Sequence, residues 1–129
     1  MSNKIRNPKD MKTLNQTIFR EYDIRGKYPE DLNPSSIRSI AFSIAKKCKA
    51  ESIDSLVIGR DGRLSGPELI KILEAEINNN GISTENIGVV TSPLLYFAAK
   101  KSATLSGIML TGSHNPKNYN GIKMVINDQ

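Results

Sequence analysis

The stretch TGSHNPKNYNGIK, residues 111–123, holds the side chains of this sequence that are best suited to chemistry. Ser113 and His114 are adjacent, and Lys123 follows shortly after them. A hydroxyl can act as an oxygen nucleophile or carry a phosphoryl group, and an imidazole or ammonium can donate hydrogen bonds to an anion. Because Gly112 permits backbone angles that larger residues resist, we expect a sharply turning loop at the end of a strand.

Each of these residues also has an ordinary structural interpretation. Ser113 could be only a turn residue or a helix cap, and His114 could be a surface residue of a polar loop. Adjacent side chains in an extended chain point in opposite directions, so His114 is a poor base for Ser113. The sequence also lacks a G-x-S-x-G elbow and an obvious third triad member. A serine hydrolase is therefore not predicted.

Two further basic residues could lie near the serine. The pair Asn120-Gly121 predicts a turn with positive φ angles, which would bring the Lys123 ammonium back towards the hydroxyl. There it could neutralise a phosphate or shuttle a proton, although a lysine in a strand more often faces solvent. Arg25, in YDIRG, could be a surface partner of Asp23 or a bidentate phosphate ligand. Spacing leaves both alternatives open.

The elements that must position these residues alternate between strands and helices. The segment NPSSIRSIAFSIAKKCKA predicts a helix that is capped by Asn33 and has Pro34 at its first position. Ser65 and Glu68 have the spacing of a capping box for a second helix, and Ser92 is predicted to cap a third. The apolar residues of the first helix have helical spacing and predict one buried stripe: Ile37, Ile40, Ala41, Ile44, Ala45 and Cys48.

Short apolar segments before and after these helices predict the strands. They are TIFREYDIRG, SLVIGRDGR, ISTENIGVV, TLSGIML and GIKMVIN. The alternation predicts an α/β fold, a three-layer sandwich with a mixed, mostly parallel four-stranded sheet flanked by helices. GIKMVIN follows its predecessor too closely for a helical crossover, so we expect it to be antiparallel or on an edge.

Three loops are predicted to meet at one edge of this sheet. In open parallel sheets, functional groups gather beyond the carboxyl ends of the strands, beside the N-termini of the following helices. The loops GRDGRLSGP, TSP and TGSHNP all lie at such positions. The polar side chains of these loops suit an oxygen-rich anion. They belong to Arg60, Arg63, Thr91, Ser113, His114 and Asn115.

Composition narrows the class of protein. The 129 residues are enough for one core, and a single cysteine, Cys48, excludes an internal disulfide. The N-terminal residues lack the apolar run of a signal peptide or membrane span, so a cytoplasmic protein is expected, with residues 1–16 as a flexible basic leader. The net charge of +5 favours anionic partners. Nucleic acid is not expected, because no zinc-ligand spacing, aromatic strip or basic recognition helix is present.

Four motifs in order resemble one known family. FREYDIRG, GRDGRLSGPEL, VVTSPLLYFAAK and SGIMLTGSHNPKNYNGIK resemble the N-terminal phosphoserine domain of the α-D-phosphohexomutases, in the phosphomannomutase/phosphoglucomutase branch. The resemblance extends from Thr17 to the end of the chain. It implies that Ser113 is carried as phosphoserine and donates its phosphoryl group to a hexose monophosphate. The enzyme would then interconvert hexose 1-phosphate and hexose 6-phosphate, of mannose or glucose, through a hexose 1,6-bisphosphate. The bisphosphate would also serve as activator.

The same resemblance implies roles for individual residues. Arg25 and Lys123 match positions near the reacting phosphate and sugar oxygen, for charge neutralisation and proton transfer. His114 and Asn115 would hydrogen-bond around the phosphate. Tyr22 matches a substrate-contacting position. Arg60 also falls in a family motif and is expected to contribute mainly to building the substrate site. Ser113, through its phosphate, would supply one ligand to Mg²⁺.

The length of the chain sets a further expectation. Members of that family have four domains, so residues 17–129 would form domain I, with domains II to IV absent. The sequence has no D-G-D-x-D metal loop. We therefore expect this segment alone to be inactive and to self-associate through exposed interdomain faces. The alternative is a non-catalytic module that binds a phosphosugar or another anion, or pairs with a partner.

Overall fold

The structure is a computed structural model that describes residues 19–20, 23–113 and 115–128. The predicted leader lies outside these residues. The strands are β1 (Phe19–Arg20), β2 (Asp23–Lys27), β3 (Ser55–Arg60), β4 (Ser83–Val89), β5 (Gly107–Leu110) and β6 (Tyr119–Val125). The helices are α1 (Pro34–Ala50), α2 (Gly66–Asn79) and α3 (Ser92–Lys101). Of the helices so described, none has the length and apolar character needed to cross a membrane.

The strands form one mixed sheet with the order β1-β2-β6-β5-β3-β4. The predicted α/β class is confirmed, but the sheet contains six described strands instead of four. β4, β3 and β5 are parallel neighbours, whereas β6 is antiparallel to both β5 and β2. Four strands, β2 to β5, therefore run in one direction. The last strand is antiparallel to its predecessor, as expected, and it lies inside the sheet because β2 pairs with its free side.

Helices α1 and α2 cover one face of the sheet and form most of the core. Asn33 caps α1 as predicted: its side chain accepts a hydrogen bond from the Ser36 N–H, and the Ser36 hydroxyl accepts one from the Asn33 N–H. All six residues of the predicted stripe on α1 are buried. The side chains that meet them from the sheet and α2 include Leu56, Ile58, Leu69, Leu73, Ile77, Ile108 and Ile122.

Two predicted helix caps differ in the structure. Ser65 occupies the N-cap position of α2, as expected, but it has helical backbone angles and its side chain makes no capping hydrogen bond. Its hydroxyl instead accepts a hydrogen bond from the Asn120 amide at 2.8 Å, a partner 55 residues away. The cap of α3 is Thr91, one residue before the predicted Ser92, and Thr91 Oγ1 accepts from the Leu94 N–H. For Ser65, the tertiary hydrogen bond from Asn120 thus takes the place of the local capping bond.

Helix α3 covers only part of the opposite face. It packs against β3 and β5, where Leu95 joins Val57 and Met109 in a small apolar cluster. Lys123 on β6 pairs with Met109 and, on its other side, with Asp23 of β2. Paired residues and residues two apart on a strand share a face, so Arg25 also lies on this side. The β2–β6 half of the face thus carries half-buried charged groups beside an apolar half under α3.

Asn120 and Gly121 do not form the predicted turn. Both lie within β6, and neither has a positive φ angle. Asn120 is completely buried, and its side-chain oxygen accepts a hydrogen bond from the Gly121 N–H. A Cβ atom on Gly121 would lie 2.4 Å from the backbone oxygen of Ile24 and 3.0 Å from that of Thr111. The glycine is needed for close strand approach.

We predict that Gly121→Ala lowers the free energy of unfolding by about 1–3 kcal/mol, because backbone atoms of β2 and of Thr111 must move to admit the methyl group. Gly62→Ala is the matched control, since a Cβ there meets nothing within 4 Å. Urea denaturation of the two variants measures the difference. Equal stability of Gly121→Ala and Gly62→Ala would contradict this account of β6.

Candidate active site

Ser113 lies at the carboxyl edge of the sheet, in the loop between β5 and β6. We call residues 111–118 the serine loop; residue 114 is outside the described part of the chain. Ser113 has a φ of +54°, in the left-handed region that residues with a side chain seldom adopt. Its N–H donates to Thr111 Oγ1 at 2.9 Å. The loop therefore turns sharply at the serine, as the sequence predicts.

The Lys123 ammonium reaches the serine hydroxyl. Lys123 Nζ donates to Ser113 Oγ over 3.4 Å, and both residues are half-buried. The lysine arrives along β6, which runs back from the serine loop beside β5. The predicted approach of the two groups is thus present, but a strand pairing produces it and not a turn at Asn120-Gly121. A cation at this distance can stabilise negative charge on the serine oxygen.

Arg25 lies beside the serine loop and is held by Asp23. Its Nη2 and Nε donate to the two Asp23 carboxylate oxygens at 2.9 and 3.2 Å, and Nη1 makes a longer bond of 3.4 Å to Asn115 Oδ1. The hydrogen bond to Asp23 and the charge of that carboxylate raise the pKa of Arg25, so the guanidinium stays protonated. Four of the predicted site residues therefore meet in two pairs: Ser113 with Lys123, and Arg25 with Asn115.

Asp61 organises the first half of the serine loop. Its Oδ2 accepts hydrogen bonds from Thr111 Oγ1 at 2.8 Å and from the Gly112 N–H at 3.0 Å, and Oδ1 accepts from the Arg63 N–H. Partial burial by itself would raise the pKa of Asp61, but these hydrogen bonds and the charge of Arg63 together lower it. Asp61 was not predicted as a site residue, because an aspartate in a turn before a helix has many ordinary uses.

The remaining predicted residues lie in different surroundings. Arg60 donates to the backbone oxygen of Asp61 and lies against Gly66 at the start of α2, so its described contacts are not with Ser113. Thr91 serves as the cap of α3. Tyr22 and His114 are outside the described residues, and the predictions for them stand untested.

The described residues do not offer a metal cage. No group of three or more histidine, cysteine, aspartate or glutamate side chains lies together in the described part of the chain. Asp23 and Asp61 are each paired with an arginine. The groups around Ser113 are cationic, so they suit a phosphate better than a bare Mg²⁺ ion. Cys48 is a side chain of the core, and its burial raises the pKa of the thiol to about 11. Because the thiolate is the nucleophilic form, Cys48 is a poor nucleophile.

Known proteins share both the sequence and the fold. A family model of phosphoglucomutase/phosphomannomutase, alpha/beta/alpha domain I, matches residues 16–129. The chain belongs to this family. The phosphoglucomutase of Neisseria gonorrhoeae is 45% identical over 116 residues, which are 90% of this chain and 25% of that protein. The phosphomannomutase/phosphoglucomutase of Pseudomonas syringae pv. tomato is 46% identical over 113 residues, 88% of this chain and 24% of that protein.

A solved structure agrees with the domain I assignment. A phosphoglucomutase/phosphomannomutase family protein from Burkholderia thailandensis superimposes with a TM-score of 0.84 and 39% identity, over 89% of this chain and 27% of that one. This domain I chain spans about a quarter of the length of the relatives it matches. The three-layer fold predicted from sequence is the fold of that domain.

We predict that Asp61→Asn lowers the free energy of unfolding by about 1–3 kcal/mol at pH 7, because a charged acceptor of several hydrogen bonds is lost. The lowered pKa of Asp61 means that its stabilisation is complete above the ordinary aspartate pKa of about 3.9 and is lost as pH falls through the folded value. The difference from wild type should therefore be constant near neutral pH and shrink below about pH 4.

Urea denaturation between pH 3 and pH 7 measures this difference. Asp54→Asn is the control, since Asp54 is exposed and its mutation should leave stability nearly unchanged at every pH. A deficit for Asp61→Asn that is equally large at pH 3 and pH 7 would contradict the assigned role of the carboxylate.

Proposed function

We propose that this domain carries a phosphoryl group on Ser113 and exchanges it with a hexose phosphate. The full activity proposed is the interconversion of hexose 1-phosphate and hexose 6-phosphate, of mannose or glucose, through a hexose 1,6-bisphosphate. The observation that carries the proposal is the 3.4 Å contact between Lys123 Nζ and Ser113 Oγ at the carboxyl edge of a domain I fold. The names of the relatives support the choice of hexose phosphates as the substrate class.

The proposed chemistry follows from where the cations lie. A hydroxyl oxygen of the sugar attacks the phosphorus of phosphoserine, a new O–P bond forms, the hydroxyl proton is released to solvent, and the bond from phosphorus to Ser113 Oγ breaks. The Lys123 ammonium, which donates to Oγ, supplies the proton that the departing serine oxygen needs. In the reverse transfer the serine hydroxyl returns that proton to the lysine amine. Transfer from the serine and transfer to the serine would then use the same hydrogen bond, between Lys123 Nζ and Ser113 Oγ.

Arg25 is proposed to neutralise charge on the transferring group. Phosphoryl transfer depends mainly on in-line positioning and on cations near the equatorial oxygens. Arg25 is fixed by two hydrogen bonds to Asp23, and its third nitrogen donates to the Asn115 side chain of the serine loop. The same region would accommodate Tyr22 and His114 as substrate and phosphate contacts, and Arg60 as a more distant contributor.

The cofactors and partners are proposed from the family. The ligand that this domain would supply to Mg²⁺ is a phosphate oxygen on Ser113, with the other ligands coming from residues outside the described set. A hexose 1,6-bisphosphate would restore the phosphoserine after loss of phosphate. Domains II to IV of the same enzyme would complete the substrate cleft, and a cytoplasmic location fits this metabolic role.

Self-association of the isolated domain stays a prediction. Several large apolar side chains near or on α3 are exposed: Val89, Leu94, Tyr96 and Phe97. An apolar patch of this kind usually marks a surface that another protein segment covers. Burial raises the pKa of Tyr96, and the charge of the nearby Asp23 carboxylate raises it further. Tyr96 therefore lies near the charged half of the sheet face.

We predict that the complete gene product, incubated with glucose 1,6-bisphosphate and Mg²⁺, gains one phosphate of mass on Ser113. Intact-mass measurement and peptide mapping detect the adduct. Ser113→Ala should abolish it, while Ser35→Ala, an exposed serine on α1, should leave it unchanged. Failure of the complete wild-type gene product to take up phosphate would favour the non-catalytic binding module.

We further predict that Lys123→Gln slows phosphate transfer to and from Ser113 by about 10²–10⁴-fold, the usual contribution of a positioned acid–base group. Lys46→Gln, at an exposed position on α1, is the matched control and should transfer at the wild-type rate. Quenched-flow measurement of the phosphoserine fraction gives both rates. A wild-type rate for Lys123→Gln would remove the lysine from the mechanism.

A further inference from the structure

Arg63 contacts the serine loop along most of its length. Its Nη2 donates to the backbone oxygens of Ser113 and Asn115, both at 2.9 Å. Its Nη1 donates to those of Pro116 and, at 3.2 Å, Tyr119. One side chain, 50 residues earlier in sequence than the serine, therefore bonds four carbonyl groups between the end of β5 and the start of β6.

The guanidinium is also held from the side of its own loop. Arg63 Nε donates to Asp61 Oδ2 at 3.3 Å, and the same carboxylate oxygen accepts from the Gly112 N–H. A Cβ atom on Gly112 would lie 2.0 Å from Arg63 Cζ, so the guanidinium rests directly on the backbone of the serine loop. The Arg63 side chain is only 14% exposed.

All five N–H groups of the guanidinium have a partner. Nε bonds Asp61, and the four N–H groups of Nη1 and Nη2 are matched by the four carbonyl oxygens. Arg63 therefore has no donor left for a substrate phosphate while the loop keeps this shape. This distinguishes it from Arg25, whose Nη1 makes only a 3.4 Å contact with the Asn115 side chain.

The bond to the Ser113 carbonyl bears on the serine conformation. Ser113 has its N–H fixed by Thr111 Oγ1 and its carbonyl fixed by Arg63. These two bonds hold the peptide groups on either side of the left-handed residue. With the backbone fixed in this way, the hydroxyl lies within reach of Lys123.

We propose that Arg63 is a positioning residue: it holds the serine loop in the conformation that presents the Ser113 hydroxyl to Lys123, and it does not touch the transferring phosphoryl group. The inference rests on the proposed function for its kinetic consequence, but its structural part can be tested alone. Lysine cannot replace the arginine, because one tetrahedral ammonium has three donors and cannot bond four carbonyls and a carboxylate in one plane.

The test compares Arg63→Lys and Arg63→Ala with Arg38→Lys, a control at an exposed position on α1. Hydrogen–deuterium exchange of peptides covering residues 111–119 reports on the loop without any activity. We expect amides of the serine loop to exchange at least tenfold faster in Arg63→Lys, with α1 and α2 unchanged, and the rate of Ser113 phosphorylation to fall at least tenfold. Arg38→Lys should match wild type in both measurements.

Chemical rescue sharpens the test. Millimolar guanidinium ion should restore part of the protection and of the phosphorylation rate to Arg63→Ala, whereas urea, which is planar but uncharged, should not at the same concentration. If circular dichroism shows that Arg63→Ala is unfolded, Arg63→Lys, which keeps the charge and the aliphatic stem, decides the question.

Two results would overturn the inference, and a third would separate it from the proposed function. Wild-type exchange and rate in Arg63→Lys would overturn it. A slower rate with unchanged exchange would also overturn it, since Arg63 would then act on the phosphoryl group itself. If wild-type Ser113 takes up no phosphate but loop exchange still depends on Arg63, the proposed function fails and the positioning of the loop by Arg63 is supported.

Discussion

Hydrogen bonds between the β3–α2 loop and the serine loop determine where the hydroxyl of Ser113 lies. A residue with a side chain is unfavourable in the left-handed region by about 1–2 kcal/mol, and the carbonyls of the loop have no strand partner to satisfy them. Asp61 accepts from the first half of the loop, and Arg63 donates to the second half. Because these two residues are paired with each other, one rigid unit supports both halves.

The position of β6 in the sheet supplies the second requirement. β6 pairs with β5 on one side and β2 on the other, which places Lys123 on the same face as Asp23 and Arg25. This half of the face is not the part against which α3 packs, so the charged groups stay half-buried. Phosphate chemistry needs cations that are fixed in place and that a substrate can still reach. The half-buried Lys123 and Arg25 have both properties.

Sequence patterns predicted local features well and long-range features poorly. Asn33 and the buried stripe of α1 were correct, because a cap and an amphipathic helix depend on residues within a few positions of each other. The capping bond of Ser65 and the turn at Asn120-Gly121 were predicted wrongly, because the Ser65 hydroxyl binds the Asn120 side chain and Gly121 lies in β6 against the backbone of β2 and of Thr111. Those partners are distant in sequence, so no local pattern could reveal them.

The sequence by itself determined the α/β class, the order of the elements and the identity of the serine with its candidate cations, since these follow from periodicity and from motifs in contiguous segments. Only the tertiary structure decided that Lys123 meets Ser113 through strand pairing and that Asp23 holds Arg25. It also decided that Arg63 bonds four backbone carbonyls between Ser113 and Tyr119. The physical reason is that hydrogen bonds act over about 3 Å, and the path of the folded chain alone brings groups from separate segments within that distance.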